Sequence, residues 1–198
     1  MFKIEIFTLD YLKGFFKRNK KLLIISLIII IASLVLFAIG ARMLFGAEAT
    51  TSINKSTTTN FLGFIDLFVH NFRSDAIVLL GGFLLSILSL ILTIYNCFIA
   101  GAFLGVMPRA FAVGILPHGI FEYAASVFSL VGAFIITKLE IVSFKAWLSK
   151  DHTVKEVLND NKNAIKDIIL IIVLIIILLL IAAFIENYIT PMLLNMAF

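Results

Sequence analysis

An all-α, polytopic membrane protein of about five spans is the fold class this sequence predicts, and three observations predict it. Hydrophobic residues make up 62% of the 198 and charged residues only 14%, with a mean hydropathy of +1.12. A soluble domain holds about 45–50% apolar and about 25% charged residues. Several apolar runs reach the roughly 20 residues that cross a hydrocarbon core of about 30 Å as a helix. The Lys and Arg residues gather beside those runs, so the net charge of +4 reads as positive-inside topology rather than affinity for nucleic acid. The whole chain, 1–198, is expected to form one integral membrane domain with the lipid bilayer as its first partner.

The elements follow in order. Residues 1–20 are expected to lie on the cytoplasmic surface as an interfacial helix, because Phe2, Ile6, Leu9, Leu12 and Phe16 recur at helical spacing against Lys3, Asp10, Lys13 and Lys17. The first span is 22–41, whose apolar stretch exceeds the h-region of a cleaved signal peptide. A Ser/Thr-rich tip over 50–60 contains Asn54-Lys55-Ser56, which matches an N-glycosylation acceptor. Asn60 is an expected N-cap, and Phe61, Phe64, Ile65, Phe68 and Phe72 suggest an outer amphipathic helix leading into the second span, 76–95. The third span, 97–116, is interrupted at Pro108-Arg109, and the fourth is 119–137. Three full crossings fit this region, and so does one crossing followed by a re-entrant hairpin broken at Pro108. In the basic loop beyond, Trp147, Val154, Leu158 and Ile165 form another interfacial stripe, with Trp147 at headgroup level. The last span, 168–185, is almost pure Ile and Leu.

Charge orients these spans. Lys3, Lys13, Lys17, Arg18, Lys20 and Lys21 precede the first, and Lys138, Lys145, Lys150, Lys155, Lys162 and Lys166 precede the last, so the N-terminus and that loop are expected in the cytoplasm and the C-terminus outside. Gly101 and Gly105 make a GxxxG on the third span, and Ala125, Ser129 and Ala133 a small-residue row on the fourth. These rows are expected to bring the two helices together, with self-association as the other use. Cys97 reads as a small buried residue.

Polar residues in the spans carry the functional information. Leu116-Pro117-His118-Gly119-Ile120-Phe121-Glu122 places a histidine and a carboxylate on one helical face. Each ionisable group at mid-bilayer costs roughly 2.5–3.5 kcal/mol on insertion scales. A Pro117-His118-Gly119 turn near the outer face would set Glu122 one helical turn deeper, with Arg109 as the expected charge partner. His70, Asn71, Asp75, Glu186 and Asn187 are expected near the same level, and Asn96 at the opposite, inner end. Three uses of the pair stay open: a structural brace, an ion or solute path, and a zinc site on His118 and Glu122 with His70 or Glu186 as a further ligand. No HExxH, GxSxG or Cys-His pattern is present, so no enzyme and no resident cofactor are expected.

Asn71-Phe72-Arg73, Asn96 with Gly101 and Gly105, and Pro117-His118-Gly119 with Glu122 resemble the stage II sporulation protein M family over roughly 64–136. That family commonly has Asn-Gly where this chain has Asn96-Cys97. The resemblance implies a small polytopic membrane subunit that acts without catalysis, as a scaffold or assembly component for a protein partner. A small transporter or channel for a proton, cation or solute is the alternative.

Overall fold

The computed structural model describes residues 4–46, 60–149 and 153–197. Phe2, Lys3, the Asn54 acceptor and Lys150 lie outside these, as does the side chain of Lys155. Every regular element among the described residues is helical: a short 3-10 helix (Ile4–Phe7) that holds the buried Ile6, then α1 (Leu9–Phe45), α2 (Phe61–Leu84), α3 (Ile87–Val106), α4 (Pro108–Ser149), α5 (Val154–Asp160) and α6 (Lys162–Ala197). All but α5 are long and apolar enough to cross a membrane, five helices in all.

The ends of these helices differ from the expected ones for local reasons. Thr8 caps α1 by accepting a hydrogen bond from the Tyr11 amide at 3.3 Å, and the helix then runs unbroken for 37 residues. The stripe over 9–20 is therefore the first three turns of α1 and not a separate surface helix. Asn60 caps α2 as expected, accepting from the Gly63 amide at 2.6 Å, but α2 is itself the second span. The run 76–95 is divided at Leu85 and Ser86, both left-handed at φ 52° and 57°. That conformation costs a non-glycine residue about 1 kcal/mol. Hydroxyls offset it: Ser86 donates to Thr137 Oγ1 at 2.6 Å, Thr137 to the Gly82 carbonyl at 2.7 Å, and the buried Ser89 to the Val78 carbonyl at 2.6 Å.

The next break falls at Met107, before Pro108 at the first helical position of α4, where a missing N–H is harmless. Pro117-His118-Gly119 does not turn the chain. It lies inside α4, just after a π-helical turn over Phe111–Ile115 in which the Leu116 amide reaches back five residues to the Phe111 carbonyl. The wider turn makes room for the Pro117 ring, so the helix continues. In the basic loop, Trp147 belongs to α4 and Leu158 to α5, which opens with a Thr153–Glu156 capping box.

Non-local pairs fix the topology. Asn71–Glu122, Asp75–Ser126 and Ser86–Thr137 are each 51 residues apart, so α2 and α4 run parallel in one register. A Cβ on Gly101 would lie 2.7 Å from the Leu34 carbonyl oxygen, and one on Gly105 would strike the Ala38 backbone, so α3 runs parallel to α1. The GxxxG thus seats α3 on α1, not on the fourth span. The small residues of α4 face α2 instead: a Cβ on Gly82 would lie 2.6 Å from the Ala133 carbonyl oxygen. Asp167 on α6 meets Arg18 and Asn19 on α1, while Asn187 near the other end of α6 donates to the Asn60 carbonyl at 3.1 Å. Helices α1, α3 and α6 therefore point one way, and α2 and α4 the other. Leu130, Val131, Ile171, Ile175 and Leu179 form the core between α4 and α6.

Candidate functional site

Four helices bring polar side chains to one cavity of about 350 Å³. From α2 come His70, Asn71, Ser74 and Asp75, from α3 Asn96, from α4 His118 and Glu122, and from α6 Glu186. The spacing on each helix explains the convergence. Asn71 and Asp75, and likewise His118 and Glu122, are one turn apart on a single face. The parallel register of α2 and α4 then sets the two pairs side by side.

Most of these groups have a defined contact. The Asn71 amide donates to a Glu122 carboxylate oxygen, and Ser126 donates to Asp75 Oδ1 at 3.1 Å. Asn96 donates to Ser74 Oγ at 3.1 Å. His118 is 6% exposed, with Nδ1 3.3 Å from Thr190 Oγ1. One ring nitrogen of His118 and one carboxylate oxygen each of Glu122 and Glu186 lie within 4.8 Å of one another.

The site lies deeper than the sequence placed it. Counting 1.5 Å per residue from the break at Pro108, His118 is about 15 Å and Glu122 about 21 Å along α4, which puts Glu122 near the middle of the stretch between Arg109 and Lys138. Asn96 is not at the inner end but midway along α3, on the cavity wall. Arg109 does not pair with Glu122. It is exposed at the start of α4 and donates from Nη2 to the Ala197 carbonyl at 2.9 Å, where a cation suits the C-terminal end of α6. His70 lines the cavity without joining the group of three close donors, a place taken by Glu186. Gly101 and Gly105 serve packing, and Ala125 and Ser129 are fully buried in the core. Sequence reasoning missed Thr190 and Ser74. Thr190 was detectable as a polar residue four positions beyond Glu186, and Ser74 as part of Asn71-Phe72-Arg73-Ser74-Asp75.

Comparison with known proteins identifies the family. The family model for stage II sporulation protein M matches residues 21–191. An uncharacterized protein of Methanocaldococcus jannaschii is 30% identical over 178 residues, which are 83% of this chain and 94% of that protein. No solved structure matches. With a match that spans all five long helices and the cavity between them, this multi-pass membrane protein belongs to the stage II sporulation protein M family.

Proposed function

We propose that the protein, acting without catalysis, takes up a cation in the cavity between its helices and passes it across the bilayer. One observation carries this reading: Asp75, Glu122 and Glu186 line the cavity together with His70 and His118, and no Lys or Arg is among the described lining residues. Carboxylates inside a membrane bundle need a balancing partner, and here the hydrogen bonds from Asn71 and Ser126 leave acceptor capacity open toward the cavity. A mobile cation or proton meets that need. The test is flux in sealed liposomes against imposed gradients of protons, potassium and divalent ions. Wild type is expected to dissipate at least one gradient, and Glu122→Gln to slow it about tenfold or more while still inserting and folding. No flux of any of these ions overturns the proposal.

The family match favours a second reading, assembly with a protein partner or with further copies of the chain. Under that reading wild type carries no flux, and the same variant weakens a co-purified complex.

The basic segments support an orientation with the start of α1 and the α4–α6 loop in the cytoplasm. Cys97 is 1% exposed, so it should stay silent toward a membrane-impermeant maleimide. Single cysteines at Thr58 and Asp160 are expected to label differently in intact cells, Thr58 at once and Asp160 only after permeabilisation. The reverse pattern overturns the orientation.

A further inference from the structure

We infer that the cavity holds a divalent transition-metal ion, of the zinc, cobalt or manganese class, on His118, Glu122 and Glu186. This deepens the cation reading above and rests on it. The donor set selects the ion. One imidazole nitrogen and two carboxylate oxygens suit borderline first-row metals, whereas magnesium and calcium prefer all-oxygen shells of six or more ligands. The spacing is close to what such an ion needs. Ligand bonds of about 2.0–2.2 Å put tetrahedral donors about 3.3–3.6 Å apart, so donors within 4.8 Å of one another must close by at most about 1.5 Å, within the swing of a glutamate side chain.

The surroundings are those of a held ligand set rather than of a chance cluster. Thr190 engages His118 Nδ1, leaving Nε2 to bind, and Asn71 engages one oxygen of Glu122, leaving the other. Outer contacts of this kind orient metal ligands. Both helices that supply ligands also carry a π-helical turn at the site. In α4 it ends at Ile115, three residues before His118, and in α6 it spans Ile185–Ile189 and contains Glu186, with the Thr190 amide reaching back to the Ile185 carbonyl. Each wide turn rotates the following face relative to an unbroken α-helix, and such turns recur at functional sites. On α6, Glu186 and Thr190 lie four residues apart across this turn and both reach the same histidine. Three protein donors leave a coordination position open to the cavity, the arrangement of a site that releases its ion.

The test is cobalt(II) titration of the purified full-length protein in detergent, followed by visible d–d absorption and by elemental analysis after desalting. About one equivalent is expected, displaced by zinc and not by excess magnesium. Glu186→Gln and His118→Ala should each weaken cobalt binding by about 100-fold, and Thr190→Val by about 10-fold. The wild-type spectrum decides the matter even where a variant fails to fold: binding below about a tenth of an equivalent, or displacement by magnesium at equal concentration, overturns the metal site. Proton or potassium flux that persists without cobalt binding sinks the metal inference alone, and loss of both sinks the cation reading with it.

Discussion

Gly105→Leu is expected to abolish the recovery of folded, monodisperse protein. A Cβ at this position would collide with the backbone of Ala38 on α1, and backbone cannot rotate aside as a side-chain tip can. Overpacking a core by a few methylenes costs about 1–3 kcal/mol where neighbours adjust, and here the only adjustment is to part the helices. Gly101 repeats the contact one turn earlier, 2.7 Å from the Leu34 carbonyl oxygen and 2.9 Å from Phe37 Cβ, so α3 cannot shift along α1 to escape. Gly40 provides the contrast: nothing lies within 4 Å of a Cβ there, and Gly40→Leu should be recovered like wild type. Size-exclusion profiles of the two leucine variants, each tagged with a fluorescent protein, make the comparison. Equal recovery of both would show that α1 and α3 do not pack through the glycines.

Asp167→Ala is expected to lower stability by about 3 kcal/mol, read as a large drop in thermal midpoint in detergent. The Asp167 carboxylate is 3% exposed. It accepts from Arg18 Nη2 at 2.6 Å and Nε at 3.3 Å, from Asn19 Nδ2 at 2.8 Å and from the Tyr11 hydroxyl at 2.9 Å. Truncation strands a guanidinium and a buried amide together, and an uncompensated buried charge is what makes a broken ion pair expensive. Because the Arg18 side chain is 36% exposed, water recovers part of the loss, which sets the figure at the low end for such pairs. Asp167→Asn should fare little better, since its NH2 would face donors on two sides. Arg18→Met with Asp167→Leu should be more stable than the sum of the single changes implies. Simple additivity in that cycle would deny the cluster its role in holding α6 to α1.

Asp167 also shows where sequence stops being legible. Beside Lys166 in a basic loop it reads as a surface charge, and only the parallel docking of α1 on α6 buries it. The five long helices were legible because each apolar run declares itself locally. Their limits were not. Leu85 and Ser86, the left-handed residues that reverse the chain, are neither Gly nor Pro, and the Gly81-Gly82 pair just before them sits inside an apolar run that reads as one span. Pro117 and Gly119 look like breakers, yet the π turn before them carries the helix on, and the depth of Glu122 and the expected Arg109 partnership moved with that one difference. The facing of His118 and Glu122 survived, because a four-residue spacing needs only local helix. Convergence of His70, Asn71, Asp75 and Glu186 was likewise legible as a shared level of polar residues, whereas the Asn71–Glu122 bond depends on a register set 51 residues away.

The length of α4 gives the site a mechanical reach. Its 42 residues make a rod of about 63 Å, roughly twice the thickness of the hydrocarbon core. Ser149, at its far end, lies 27 residues or about 40 Å from Glu122. A tilt of about 5° pivoting at Glu122 would carry Ser149 sideways by about 3.5 Å, so a small change in packing around the cavity would have its largest displacement at the far end of α4.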